Sequence, residues 1–171
     1  MLTQADKNKY MTFAIEEAKK AEALGEVPIG AIVVYNGEVV GQGYNQRESA
    51  QQATAHAELL AIQEANEKLG RWRLEECQLF VTLEPCTMCS GAIVLARIPE
   101  VYYGASDVKS GTAGSLINLL DYEPLNHQAY VEKGILGEEC SQMLKDFFKD
   151  LRKRNKERKK NTQSKPKDLS Q

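Results

Sequence analysis

An α/β domain with a mixed sheet is the fold class this sequence predicts, and three observations predict it. The Asn36-Gly37 pair lies between two strand-like runs and is a strong two-residue hairpin signal, which makes one antiparallel pair. A strand, a helix and a second strand follow in order over residues 78–103, which makes a parallel pair joined by a right-handed crossover. The N-terminal stretch repeats its apolar residues with a period of 3.6 rather than 2.

Each element has its own signal. Asp6 to Leu24 reads as an amphipathic helix on Tyr10, Phe13, Ala14, Ala18, Ala21 and Leu24, with Gly25 as its stop. Ile29 to Tyr35 is β-branched and apolar, a buried strand, and Glu38 to Tyr44 is the returning strand. Residues 45–53 are polar and read as a loop. His56 to Leu69 is a helix closed by Gly70, with Thr54 as its expected N-cap. Gln78 to Leu83 is a short strand leading to Pro85. Cys86 to Arg97 is a helix of small and apolar residues, with Pro85 at its first position. Pro99 to Tyr103 is a strand, and Gly104 to Ser115 is an irregular, glycine-rich loop at that strand's carboxyl end, where open α/β sheets bind ligands. A helical turn is expected over Leu116 to Leu120 and a short strand over Tyr130 to Leu136. The last helix is expected from Glu138 to about Lys156, with Cys140, Leu144, Phe147, Phe148 and Leu151 on its apolar side.

Length and composition narrow the class. The 171 residues are one domain's worth, and 42% hydrophobic with 27% charged is ordinary for a water-soluble fold. No apolar run approaches a membrane span, and the N-terminus lacks the apolar core of a signal peptide, so the expected compartment is the cytoplasm, with no membrane partner. Four cysteines are too few for a disulfide scaffold. The net charge of −2 hides an asymmetry: from Lys145 onward there are 11 Lys and Arg against 4 Asp and Glu, a balance of +7, whereas the earlier residues balance at −9. A basic terminal element of that kind suits a polyanion, although a solvated helix and tail would read the same way.

The chemistry concentrates in His56-Ala57-Glu58 and Pro85-Cys86-Thr87-Met88-Cys89. His56, Cys86 and Cys89 are a candidate ligand set for one zinc ion whose fourth position stays open for water, as catalytic zinc requires. Cys86 and Cys89 are spaced i, i+3 and share a face at a helix N-terminus, where the dipole favours thiolate. Glu58, two residues from the histidine, is placed to work on the water, provided that the turn there is irregular or terminal. Read singly, each has an ordinary explanation: a core histidine, a solvated carboxylate, a redox pair. A closed four-cysteine site with Cys77 and Cys140 would leave His56 and Glu58 unexplained.

H-x-E followed by P-C-x-x-C resembles the zinc-dependent nucleobase deaminases. Glu26-Val27-Pro28-Ile29-Gly30-Ala31, Gly43-Tyr44-Asn45, Val81-Thr82-Leu83-Glu84-Pro85-Cys86 and Gly104 to Ser115 extend the likeness to one branch, the bacterial tRNA-specific adenosine deaminases, from about Tyr10 to Arg158. The resemblance implies a three-layer α/β/α fold with a mixed central sheet, of the cytidine deaminase-like kind. It implies hydrolytic deamination of the wobble adenosine of a tRNA anticodon to inosine, with one Zn2+ per chain, Glu58 as the proton shuttle, no organic cofactor and a homodimer. It assigns Asn45, Asp107 and Lys109 to substrate binding; as residue types alone, Asn45 could equally be a turn former and Asp107 a cap of its own loop. The expected organisation is a deaminase domain over residues 1–158, including the basic helix, and a polar, disordered tail over 159–171. Two rivals remain: a free nucleobase or nucleoside deaminase acting on guanine or cytosine, which needs neither a basic helix nor the Gly104–Ser115 loop, and a non-catalytic zinc-binding subunit, which has no use for Glu58.

Overall fold

The computed structural model describes residues 1–164. Helix α1 (Gln4–Ala23) opens on a capping box, in which the Thr3 hydroxyl accepts from the Asp6 N–H and the Asp6 carboxylate accepts from the Thr3 N–H. Strands β1 (Gly30–Tyr35) and β2 (Glu38–Tyr44) form the expected hairpin, with positive φ at both Asn36 and Gly37. Strands β3 (Cys77–Leu83), β4 (Glu100–Ala105) and β5 (Tyr130–Lys133) complete a sheet of order β2-β1-β3-β4-β5. The β1 pairings with β2 and β3 are antiparallel, and the β3–β4 and β4–β5 pairings are parallel. Helix α4 (Thr87–Ala96) is the crossover between β3 and β4.

The sheet separates two cores, because alternate strand residues face opposite sides. Ala31, Val33, Leu79, Val81, Val101 and Tyr103 pack with α3 (Ala57–Leu69) and α4. Ile32, Val34, Phe80 and Tyr102 pack with α1 and the start of α5 (Gly137–Gln163). Helix α3 lies unusually close to β2. A Cβ at Gly41 or Gly43 would overlap the α3 backbone at Ala61 and Ala57, so these glycines permit the approach that presses the start of α3 against the hairpin.

Several boundaries differ from expectation. The loop over 45–53 contains a short helix, α2 (Arg47–Ala50). The turn expected over 116–120 is a 3-10 turn over Leu119–Asp121, because the Asn118 side chain caps the Leu120 N–H and starts it later. Phe148 is exposed rather than buried with Cys140 and Phe147. Helix α5 runs on to Gln163, so the boundary expected at Arg158 falls inside a helix; the rest of the expected tail, 165–171, lies outside the described residues. Arg, Lys, Glu and Gln are strong helix formers, and no Gly or Pro interrupts them over 138–163.

Candidate metal centre and active site

His56 and Cys86 are themselves the N-cap residues of α3 and α4. Thr54 does not cap α3, Pro85 precedes the α4 cap instead of starting the helix, and Cys86 stands just outside it. Both caps have extended backbone, and neither side chain makes a capping bond to its own helix. They turn instead toward each other. Extended geometry at His56 also removes the divergence that a helix would impose on residues i and i+2, so His56 and Glu58 converge.

The ligand atoms of His56, Cys86 and Cys89 lie within 4.8 Å of one another. His56 Nδ1 is 3.6 Å from Cys86 Sγ and 3.5 Å from Cys89 Sγ. A tetrahedral zinc with Zn–S near 2.3 Å and Zn–N near 2.0–2.1 Å requires an N···S edge of about 3.6 Å. The donor set therefore fits a metal in type and in spacing. Glu58 is buried, and its Oε2 lies 3.3 Å from Cys89 Sγ.

The charges are strongly coupled. Hydrogen bonding from Cys89 and then from His56 holds the Cys86 thiol down at about 4, burial opposing it. The bond to Cys86 and burial push the Cys89 thiol up, so the pair shares one negative charge. The bond to Cys86 raises the His56 imidazole. Burial raises the Glu58 carboxyl toward neutrality. A dication here would displace the remaining thiol proton.

The other predicted residues bond within their own loops rather than to this group. Asn45 follows β2 directly and is buried; its side-chain N–H donates to Val27 O at 3.3 Å and its oxygen accepts from the Arg47 N–H at 3.1 Å. Asp107 Oδ1 accepts from the Lys109 and Ser110 N–H groups, both at 3.1 Å, which is the loop-capping geometry of an Asx turn. Lys109 is exposed. Asp107 and Lys109 line a cleft of about 420 Å³ with Val27, Leu83, Leu144 and Phe148. Leu83 lies three residues before Cys86, so the cleft adjoins the ligand set through the end of β3.

Sequence reasoning gave no role to the buried carboxylates of Glu26 and Glu84. Glu26 accepts from the Ser49 N–H and anchors α2. Glu84 sits at the carboxyl end of β3 and bonds Tyr103 and Ser115. An acid closing an apolar strand was the available signal for Glu84.

A mixed sheet of this order, with a His-Cys-Cys group and a buried glutamate at two helix N-termini, defines a deaminase, and the family model of the MafB19-like deaminases matches residues 5–152. The tRNA-specific adenosine deaminase of Bacillus subtilis (strain 168) is 56% identical over 152 residues, 89% of this chain and 94% of that protein. The protein of that name from Haemophilus influenzae is 44% identical over 149 residues, 86% of each chain. A solved structure from a study of A-to-I editing by tRNA:A34 deaminases at the wobble position superposes with a TM-score of 0.77 at 40% identity, over 80% of this chain and 99% of that one. The chain belongs to the family of the tRNA-specific adenosine deaminases, and its fold is cytidine deaminase-like.

Proposed function

We propose that the chain binds one zinc ion through His56, Cys86 and Cys89 and hydrolytically deaminates the wobble adenosine of a tRNA anticodon to inosine. The match between the 3.5 and 3.6 Å N···S separations and a tetrahedral zinc edge carries this reading. Bound zinc would lower the pKa of a water from about 15.7 toward 7 and so supply a nucleophile at neutral pH. Glu58 would take one proton of the attacking water and pass it to the purine ring nitrogen, then take the remaining hydroxyl proton from the tetrahedral carbon and deliver it to the amino group, which leaves as ammonia while the C6 carbonyl forms. Burial suits it to both halves of the task, since a carboxyl raised toward neutrality accepts and returns a proton with little penalty.

The remaining residues would hold the RNA. The Asn45 carboxamide keeps one N–H and one lone pair beyond its two internal bonds, enough for an adenine edge. Asp107 and Lys109 present the second carboxylate oxygen and a cation to neighbouring nucleotides. Phe148, exposed in the cleft beside Lys109, Lys145 and Arg152, offers a stacking face for an unstacked base. Arg152, Lys156 and Lys160 continue the i, i+4 row from Phe148 along α5 as a phosphate track. Leu95, Leu116 and Ile117 are large apolar side chains left exposed on α4 and the loop after β4, and support a homodimer. Among the described residues, no helix is long and apolar enough to cross a membrane; the cytoplasm, where tRNA substrates are found, is the proposed compartment.

The test incubates purified protein with a stem-loop carrying adenosine at position 34 and assays inosine alongside free adenosine, guanine and cytosine. Inosine in the stem-loop supports the reading. Turnover of a free base with no inosine in RNA replaces it with the small-molecule deaminase.

A further inference from the structure

The 106–115 segment is folded around one buried side chain. Glu84 is 2% exposed at the end of β3. Its Oε1 accepts from the Tyr103 hydroxyl at 2.9 Å and from the Ser115 hydroxyl at 2.7 Å. Its Oε2 is buried without a hydrogen-bond partner among the described residues. Gly111 lies directly over that oxygen, and a Cβ there would overlap it. The backbone closes the same structure. The Gly111 N–H donates to Asp107 O at 2.8 Å, the Leu116 N–H to Gly111 O at 3.0 Å, and the Thr112 N–H to Pro85 O at 2.9 Å. One carboxylate thus meets the middle of the segment at Gly111, its end at Ser115, and the neighbouring strand at Tyr103.

A buried carboxylate with one oxygen unsatisfied is a poor way to stabilise a core, since the desolvation of that oxygen goes uncompensated. It is a good way to fix backbone position, because a short, two-donor bond tolerates little displacement. We propose that Glu84 is a positioning residue for RNA binding: it sets where Asp107 and Lys109 stand relative to the ligand set, and touches no substrate itself. The inference rests on the tRNA reading above.

Glu84→Ala empties a buried site and threatens the fold, so the decisive variant is Ser115→Ala, which removes one bond from an exposed residue. In the full chain, Ser115→Ala should raise KM for the adenosine stem-loop roughly 5- to 30-fold. Its kcat at saturating RNA should stay within about twofold, and its zinc content should be unchanged. Ser115→Thr keeps the hydroxyl and should restore KM. In the Glu84→Gln background, which weakens the acceptor, Ser115→Ala should cost less than in the wild type. Amide hydrogen exchange at Asp107 to Gly111 should be faster in Ser115→Ala. Unchanged KM in Ser115→Ala, or a parallel fall in kcat and zinc content, overturns the proposal. Should the wild type fail to deaminate RNA, the tRNA reading falls, and the exchange measurement still decides the loop: unaltered exchange removes the role of Glu84 altogether.

Discussion

The metal centre and the outer half of α5 solve opposite problems. At the centre, His56, Cys86, Cys89 and Glu58 are half-buried or buried, start two helices, and touch one another at 3.3–3.6 Å. Beyond Leu151, every residue of α5 as far as Gln163 is exposed, and among the described residues none joins an ion pair. Proton transfer and metal ligation need atoms placed to within a few tenths of an ångström, and only packing supplies that. Attraction to phosphates acts through water and salt over about 8–10 Å and tolerates mobile side chains. On the proposed reading, the contrast teaches that turnover and RNA affinity are held in separate parts of the chain and should fail separately.

Four experiments break or sharpen that separation. The largest effect belongs to Cys86→Ala. It should reduce zinc from about one per chain to near zero and abolish turnover, with a lower melting temperature, because two ligands do not hold the ion. Elemental analysis checks it; full zinc occupancy, or a replacement ligand from Cys77 or Cys140, would end the three-ligand reading.

Glu58→Gln comes next. It preserves shape but cannot shuttle protons, so kcat should fall by about 10²–10⁴ with zinc and fold intact. Single-turnover assays with near wild-type rates would assign the shuttle to another group.

Neutralising Arg152, Lys153 and Arg154 together should weaken stem-loop binding by about one to two orders of magnitude at low salt. It should also flatten the log K versus log salt slope by about 2–3. Zinc and saturating kcat should not move. Identical slopes for both proteins would remove α5 from the binding surface and favour a small-molecule substrate.

The mildest perturbation, which changes no residue, is metal uptake as pH changes. The bond to Cys86 and burial push the Cys89 thiol up, so a bound zinc ion would displace its proton. Protons compete with the ion, so affinity should rise with pH, by about tenfold per unit for each proton displaced. Competition with a chelator between about pH 6 and 8 measures this; a flat profile would mean that both thiols are already ionised.

Much of this was legible in the sequence. The hairpin came from Asn36-Gly37, since few other pairs tolerate positive φ twice. The candidate ligand set, whose three side chains the fold brings together, came from residue types that have few other uses at such spacing. Less was legible wherever a partner lay far along the chain. The approach of α3 to Gly41 and Gly43 has no local signature, and the acid that closes an apolar strand at Glu84 does not reveal that Gly111 will cover it. The end of α5 was missed for a different reason: a charged run suggested solvent exposure, which is correct, and exposure suggested disorder, which does not follow for residues of high helix propensity.

By itself the sequence determined which atoms could hold a metal and which strands are adjacent through short connections, because those are properties of residue type and local backbone preference. The tertiary structure decided that His56 and Cys86 cap their helices rather than sit within them, and that β1 separates β2 from β3. It also committed half of Asn45 and of Asp107 to their own loops before any substrate arrives. These outcomes depend on contacts between residues up to about 50 positions apart in the chain, as at Ala31 and Val81, and such contacts form only when the two cores close on the sheet.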